Sequence, residues 1–303
     1  MESVVPAALT GERVDRAVAL LSGRSRREVT DLVATGRVWL DGVPVAGGAT
    51  RVRAGQRLAF EFPASVEPVV EPDPSVRFGV VAEDDQVVVV DKPAGLVVHA
   101  GAGTSGPTLV SGLLHRYPDL VGVGDDSVRP GIVHRLDAGT SGLMVVARTP
   151  GAFHDLVEQL RRREVTREYS GLVWGHPQAE RGVIDAPIAR SPRDRTRFAV
   201  VRDGRPARTH FEVVHRYESP AQVAELACRL ETGRTHQIRV HLESIGHPVV
   251  GDKRYGGRRR NLELDRPFLH ARRLCFRHPG TGEMVEHQSS LPPELAELLA
   301  RLD

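Results

Sequence analysis

The chain has 303 residues, of which 40% are hydrophobic and 26% charged, and its formal net charge is +2. This length suits one large domain and a smaller one, and the composition is typical of a globular protein in water. The sequence has no apolar run of about 18 residues and no signal-peptide pattern at its start, so we predict a cytoplasmic protein that does not enter a membrane.

The first region with a regular pattern, residues 11–60, predicts two helices and a hairpin. Apolar residues within 14–21 recur at helical spacing, and the Ser-x-x-Glu pattern at 25–28 predicts the capped start of a second helix. Asp-Gly at 41–42, between alternating apolar residues, predicts a β-hairpin. A short strand at 57–62 completes this unit.

Positive charge is concentrated in the same unit. Residues 11–58 contain nine arginines and five acidic residues. Arg24, Arg26 and Arg27 lie at the start of the second helix, where free N–H groups and the helix dipole favour an anion. We predict a phosphate contact there, and a solvated basic surface is the alternative.

The rest of the chain predicts a linker and a second domain. Residues 63–76 contain four prolines and three acidic residues, which is typical of an extended linker. From residue 77 to 303, apolar and alternating segments predict an α+β domain. The predicted strands are 86–91, 142–147, 169–174 and 209–217, and the predicted helices lie around 153–160 and 238–245.

The segment 131–148 places a polar loop between two apolar strands. Arg135 and Asp137 would point the same way if the backbone were extended. From the residue types alone, Asp137-Ala138-Gly139-Thr140 is better explained as an ordinary turn. The histidines of the chain lack metal-site spacing, and Cys228 and Cys275 are expected to be free buried thiols, so we predict no metal.

This segment, 131–148, also resembles the signature of the RluA/RluD family of RNA pseudouridine synthases: His-Arg-Leu-Asp, two variable residues, then Thr-Ser/Thr-Gly-Leu. Residues 91–99, 167–169, 231–241, 247–252 and 255–256 resemble further family motifs, in the family's order. Ala138 and Gly139 stand where the family often has a charged pair, and we expect this departure to alter an RNA contact without abolishing activity. The unit at 1–62 resembles the S4 RNA-binding domain.

The resemblance implies roles for individual residues. Asp137 would be the catalytic nucleophile that attacks or stabilises the sugar carbon, and both a covalent adduct and the abstraction of a sugar proton to give a glycal are open for this step. Tyr169 would stack on the uracil, and Arg239 would pair with Asp137 and keep it ionised. Arg135 would fill the space that the flipped base leaves, and His134 would bind substrate beside it. The isomerisation needs no redox partner or group donor, so no cofactor is expected.

The resemblance also implies the architecture and the partner. The domain at 77–303 would carry a mixed, mainly antiparallel sheet, and the substrate would be structured RNA, with large-subunit ribosomal RNA favoured. A monomer without a small-molecule cofactor is expected. A transfer-RNA substrate and a non-catalytic RNA-binding protein are the alternatives. The arginines at 258–260 would either contact RNA phosphates or lie in a solvated loop.

Overall fold

The computed structural model describes residues 1–62, 70–101 and 106–303, except for the side chains of Arg26 and Arg27. The chain divides into two compact units, Met1–Glu67 and Pro68–Asp303. Within the described ranges, no helix is long and apolar enough to cross a membrane.

The described part of the first unit contains two α-helices and a four-stranded antiparallel sheet. Its elements are β1 (Glu2–Val4), α1 (Val14–Ser22), α2 (Arg26–Ala34), β2 (Val38–Leu40), β3 (Val43–Pro44) and β4 (Arg57–Phe60), with a 3-10 helix at Ala7–Leu9. The strands lie in the order β1-β4-β2-β3. Strand β1 was not predicted, because three residues are too few to show a period.

Two local predictions in the first unit are confirmed. Asp41 and Gly42 have φ values of 52° and 82°, the positive values that a tight hairpin turn requires at both positions. At the start of α2, the Ser25 hydroxyl accepts from the Glu28 N–H, and the Glu28 carboxylate accepts from the Ser25 N–H at 2.9 Å. These contacts form the predicted capping box.

The larger unit interleaves helices with strands. Its described strands are β5 (Gly79–Glu83), β6 (Val87–Lys92), β7 (Ser141–Ala147), β8 (Thr166–Trp174), β9 (Arg181–Asp185), β10 (Ile188–Arg190), β11 (Phe198–Val200), β12 (Arg208–Tyr217), β13 (Val223–Leu230), β14 (Leu269–Arg277) and β15 (Met284–Gln288). Its described helices are α3 (Leu109–Arg116), α4 (Pro150–Arg162), α5 (Gln237–Ser244) and α6 (Pro293–Leu299), with a 3-10 helix at Pro118–Leu120.

One large sheet organises this unit. Among the described residues it has nine strands in the order β5-β6-β7-β14-β8-β13-β12-β9, with β15 beside β14, while β10 and β11 pair separately. Strands β7 and β14 are parallel, and the other neighbouring pairs are antiparallel. The predicted mixed, mainly antiparallel α+β architecture is confirmed. Since β14 lies between β7 and β8, residues near those two strands can meet in one site.

The central strands are buried on both faces. Within Val87–Val90, the even-numbered residues share a buried cluster with Leu113 of α3, and the odd-numbered residues share another with Leu156 of α4. Side chains alternate across a strand, so a strand covered on both faces has a continuous apolar sequence. This explains the run of four valines, each of which contributes roughly 1.5–3 kcal/mol when fully buried.

The predicted linker at 63–76 is too long at its C-terminal end. Residues 63–69 lie outside the described ranges, but Val70 packs against the main core of the larger unit. The Asp73 N–H donates to the Ser111 carbonyl at 2.9 Å. Val76 packs so closely on α3 that a Cβ at Gly112 would lie 2.6 Å from its side chain. Residues 70–76 therefore belong to the packed larger unit.

The helix predicted around 238–245 is present but ends one residue early. Helix α5 stops at Ser244, and Ile245, expected on its buried face, is 39% exposed. Gly246 follows with a φ of 86°, the left-handed conformation that commonly ends a helix. The helical spacing of Ile238, Leu242 and Ile245 continued past the point where the backbone turns.

Candidate active site

Asp137 lies in the loop that leads into β7. Its carbonyl accepts a hydrogen bond from the Thr140 N–H at 3.1 Å, which is the turn that the residue types favoured. Its carboxylate lies in a small pocket together with Tyr169 and Arg239. The turn and the site are therefore compatible, because the backbone makes the turn and the side chain faces the pocket.

Arg239 on α5 forms the ion pair with Asp137 that the family resemblance implies. Its Nη1 donates to the Asp137 carboxylate at 3.0 Å, across 102 positions of sequence. Both side chains are mostly buried. An ion pair is much less screened here than at the surface, so this contact fixes where the carboxylate points.

A second carboxylate, Asp252, holds Arg239 from the other side. Arg239 Nε donates to Asp252 Oδ2 at 2.6 Å, and Nη2 donates to Oδ1 at 3.0 Å. Such two-pronged pairs fix the guanidinium plane. The backbone N–H groups of Arg254 and Tyr255 also donate to Asp252 Oδ1. No local pattern predicts this role for Asp252, although its segment, 247–252, resembles a family motif.

The segment before Asp252 is anchored to β8. The Val250 N–H donates to the Leu172 carbonyl at 2.8 Å, and the Trp174 N–H donates to the Pro248 carbonyl at 3.0 Å. Gly251 has a φ of 78°, and a Cβ there would lie 2.1 Å from the Arg266 carbonyl oxygen. Only glycine fits at such a position, and the resulting tight path brings Asp252 under Arg239.

The environment of Arg239 strongly favours its charged form. Burial by itself would lower the pKa of Arg239, but the hydrogen bond to Asp252 and the charge of Asp137 raise it above its ordinary value. The guanidinium also lies 4.9 Å from the centre of the Tyr255 ring. His236 contacts the Tyr255 hydroxyl at 2.8 Å near the start of α5.

Tyr169 on β8 forms another wall of the pocket. Its side chain is buried, and burial raises the pKa of its phenol, so the hydroxyl stays protonated at neutral pH. The pocket has a volume of about 50 Å³. That is room for a few water molecules, whereas ligand pockets typically measure about 300–1,000 Å³. A base can therefore enter only if lining side chains move.

Lys92 is a buried cation that the sequence analysis missed. No part of its side chain is exposed, and its ammonium donates to the carbonyls of Pro93, Leu96 and Ala138 at 2.8, 2.9 and 3.2 Å. Burial lowers the pKa of Lys92 to about 7, although the nearby charge of Asp137 opposes this. The composition contained a signal: Lys92 and Lys253 are the only lysines among 41 basic residues.

His134, which was predicted to bind substrate, makes a hydrogen bond to the backbone of a neighbouring strand. Its Nε2 accepts from the Val145 N–H of β7 at 3.1 Å. The ring is buried, and burial lowers its pKa to about 3, with a further contribution from the charge of Arg167. The ring stays neutral and one of its nitrogens accepts from β7, while the substrate contact stays a prediction. Arg135, next to it, is exposed at the edge of the pocket.

A carboxylate, that of Glu28, lies at the start of α2, where a phosphate site was predicted. Arg24 Nη1 pairs with Glu28 at 3.2 Å, and its guanidinium lies 5.5 Å from the centre of the Phe62 ring. Glu28 thus places a negative charge where a phosphate was expected. The side chains of Arg26 and Arg27 lie outside the described residues.

The sequence also predicted the arrangement of the metal-binding residue types. Nowhere in the described ranges do three or more His, Cys, Asp or Glu side chains form a group that could hold a metal ion. Cys228 and Cys275 are free and buried, as predicted.

Of the arginines at 258–260, Arg259 lies 4.6 Å from the centre of the Trp174 ring. This arginine is therefore partly committed to packing.

A family model described as RNA pseudouridylate synthase matches residues 86–244, which include Asp137, Tyr169 and Arg239. The chain belongs to the RNA pseudouridine synthase family. The synthase is 47% identical to an uncharacterized RNA pseudouridine synthase of Chloroflexus aurantiacus, over 99% of this chain and 92% of that protein. It is 39% identical to the ribosomal large subunit pseudouridine synthase D of Escherichia coli K12, over 95% of this chain and 90% of that one.

Solved structures agree with this membership. The synthase resembles human RNA pseudouridylate synthase domain containing 1 with a TM-score of 0.59 and 29% identity, covering 79% of this chain and 90% of that one. The human domain containing 4 gives a TM-score of 0.57 with 27% identity, covering 74% of this chain and 94% of that one. The protein is thus an enzyme of RNA modification, an isomerase.

Proposed function

We propose that this synthase converts uridine to pseudouridine in large-subunit ribosomal RNA, with Asp137 as its nucleophile. The observation that carries the proposal is the continuous hydrogen-bonded set of Asp137, Arg239 and Asp252 in the pocket that Tyr169 also lines. The E. coli relative named for the ribosomal large subunit aligns with 95% of the chain. Its named substrate is therefore the first one to test.

Asp137 is suited to the sugar step. The isomerisation breaks the bond between N1 of uracil and C1′ of ribose and forms a bond between C5 and C1′. A carboxylate can add to the electron-poor C1′, as in retaining glycosidases. The C1′–oxygen bond then breaks as C5 attacks, and the proton on C5 is transferred to N1. No net oxidation occurs, and Asp137 is regenerated.

The burial of the pocket supports base flipping. A uracil within a stacked helix could not bring its C1′ to a carboxylate that is mostly buried among the residues lining a pocket. The Tyr169 ring lies on the same pocket wall and offers a face on which a flipped uracil can stack. Arg135, exposed at the edge, would occupy the gap that the base leaves in the RNA.

The first unit is assigned to RNA binding. Its paired helices, capping box and hairpin are the elements of the S4-like domain to which its sequence is similar. Its excess of arginine over acidic residues favours a phosphate backbone. We place the boundary of this domain near residue 62.

The experiment is to map pseudouridine in ribosomal and transfer RNA from cells with and without the gene, by mass spectrometry or carbodiimide treatment. We expect one or more sites to disappear from large-subunit ribosomal RNA. Loss confined to transfer RNA would contradict the substrate but not the reaction. If every pseudouridine persists in cells that normally express the protein, the proposed function is wrong.

A further inference from the structure

Three arginines mark the border between the catalytic pocket and a neighbouring groove. Arg135, Arg167 and Arg234 line both the pocket and the groove, which has a volume of about 570 Å³. Within the described residues, none of the three has a carboxylate partner. We propose that Arg167 and Arg234 form a binding site for a phosphodiester of the RNA strand next to the target nucleotide. The identity of the anion as RNA rests on the proposed function.

Arg167 carries a buried guanidinium that lacks a carboxylate partner among the described residues. The residue is only 8% exposed, and its buried Nε has no hydrogen-bond partner. A buried charge without a partner is costly, and proteins normally pair such groups. A guanidinium left unpaired at the wall of two connected cavities is therefore suited to an anion that arrives with the substrate.

The fold directs Arg167 toward this border. Arg167 and Tyr169 are two residues apart on β8, so their side chains leave the same face of the sheet. Opposite, a Cβ at Gly233 would lie 3.0 Å from Arg167 Nη1. A larger residue at position 233 would press on the guanidinium, so the glycine leaves room for it beside Arg234.

Three other arginines of the groove differ from Arg167 and Arg234 because each pairs with a carboxylate. Arg129 pairs with Asp126 at 2.7 Å, and Arg161 pairs with Glu158 at 2.6 Å. Arg163 pairs with Glu231, the acidic residue that lines the groove. Each of these three has a carboxylate partner, whereas the guanidinium of Arg234 donates to the Pro206 carbonyl at 3.1 Å and has no carboxylate partner among the described residues. The arginines that lack a carboxylate partner thus lie at the end of the groove that it shares with the pocket of Asp137.

A phosphodiester fits this site better than the uracil does. Two unpaired guanidiniums offer net positive charge and forked donors, which match phosphate oxygens. A neutral uracil would leave both charges uncompensated. A strand whose target base enters the pocket must also continue outward, and the groove begins where the pocket ends, so its adjacent phosphate would meet Arg167 and Arg234.

The first experiment measures binding of a short, fluorescein-labelled single-stranded RNA of mixed sequence over a range of salt concentrations. For Arg234→Gln we expect about tenfold weaker affinity, as for the removal of a charge-assisted hydrogen bond. The slope of log affinity against log salt should fall by about 0.7 for each phosphate that the protein no longer neutralises. Arg129→Gln is the matched control: it removes an equal charge from the same groove, but one paired with Asp126, and should change affinity less than about twofold.

The second experiment uses Arg167→Met, which removes the unpaired charge and keeps the apolar stem. If Arg167 is a ligand site, this variant binds the RNA about tenfold more weakly. Its melting temperature without RNA should rise by about 2–4 °C, because a buried charge has been removed. A lower melting temperature would make Arg167 a structural residue and overturn its assignment.

The outcomes separate this inference from the proposed function. If Arg167→Met and Arg234→Gln bind the mixed-sequence RNA with wild-type affinity and salt slope, the phosphate site is refuted, even if pseudouridine mapping succeeds. A fall in turnover without a fall in affinity would also refute it, since that result would place the arginines on the reacting base. If mapping fails while the salt slopes change as expected, the anion site stands and the proposed function does not.

Discussion

Asp252, which is fully buried, accepts two hydrogen bonds from Arg239, at 2.6 and 3.0 Å. The same guanidinium donates to the carboxylate of Asp137. Asp252 therefore acts on the proposed nucleophile through Arg239, without facing the substrate. The direction of the Asp137 side chain depends on a residue that lies 115 positions later in the chain.

Replacing Asp252 should weaken catalysis more than substrate binding. Asp252→Asn keeps the shape but loses one acceptor and the charge, so Arg239 is expected to tilt away from Asp137. A misplacement of about 1 Å can cost roughly 100-fold in rate. We expect kcat to fall about 100-fold and KM to change little, measured by release of tritium from C5-labelled uridine in RNA.

The control for that variant is Asp265→Asn, which removes an almost fully exposed carboxylate paired with Lys253. This control should retain wild-type kcat and stability. Equal activity of Asp252→Asn and Asp265→Asn would mean that the buried pair does not position Arg239.

Asp137→Asn tests the nucleophile itself. Asparagine keeps an oxygen that can accept from Arg239, so the fold and RNA affinity should hold. Loss of a nucleophile costs roughly 10⁴-fold or more in turnover. We expect no detectable pseudouridine in single-turnover assays and no restored site in cells that lack the wild-type gene. Near-wild-type modification by this variant would rule out Asp137 as the nucleophile.

The sequence predicted local structure, and its family resemblance implied the ion pair of Asp137 with Arg239. Neither predicted Asp252 and Lys92, the buried residues that support the site. The capping box at Ser25, the turn at Gly42 and the alternation of the strands are encoded in short stretches. Asp252 and Lys92 act through contacts that depend on how distant segments pack, and no local period encodes those contacts. His134 illustrates the converse: it lies in the signature segment, yet the fold uses its ring to hold β7.

Lys92 should make stability depend on pH above neutrality. Its pKa is about 7 in the folded protein and near 10.5 in the unfolded chain. Between these values the unfolded state binds more protons, so stability rises with pH over this range and is flat below about 7. The contribution is at most about 1.4 kcal/mol per pH unit.

The measurement is urea unfolding of wild type and Lys92→Met between about pH 7 and pH 9. Lys92→Met should be less stable overall, because three carbonyls lose their donor, and its stability should rise less with pH than that of wild type. Lys253→Met removes an exposed lysine and should keep the wild-type slope. Parallel slopes for wild type and Lys92→Met would mean that Lys92 keeps its ordinary pKa despite burial.

Deleting residues 1–62 should weaken RNA binding and spare the chemistry. The larger unit builds its main core from its own residues, from Val88 to Leu298, so the fragment 63–303 is expected to fold. The arginine-rich first unit would no longer supply phosphate contacts, so affinity should fall at least about tenfold at low salt and the salt slope should decrease. At saturating RNA, kcat should stay near the wild-type value, because Asp137, Arg239 and Asp252 all lie in the fragment. Circular dichroism and a melting curve check the fold. An unfolded fragment would contradict the domain boundary, and unchanged affinity would contradict RNA binding by the first unit.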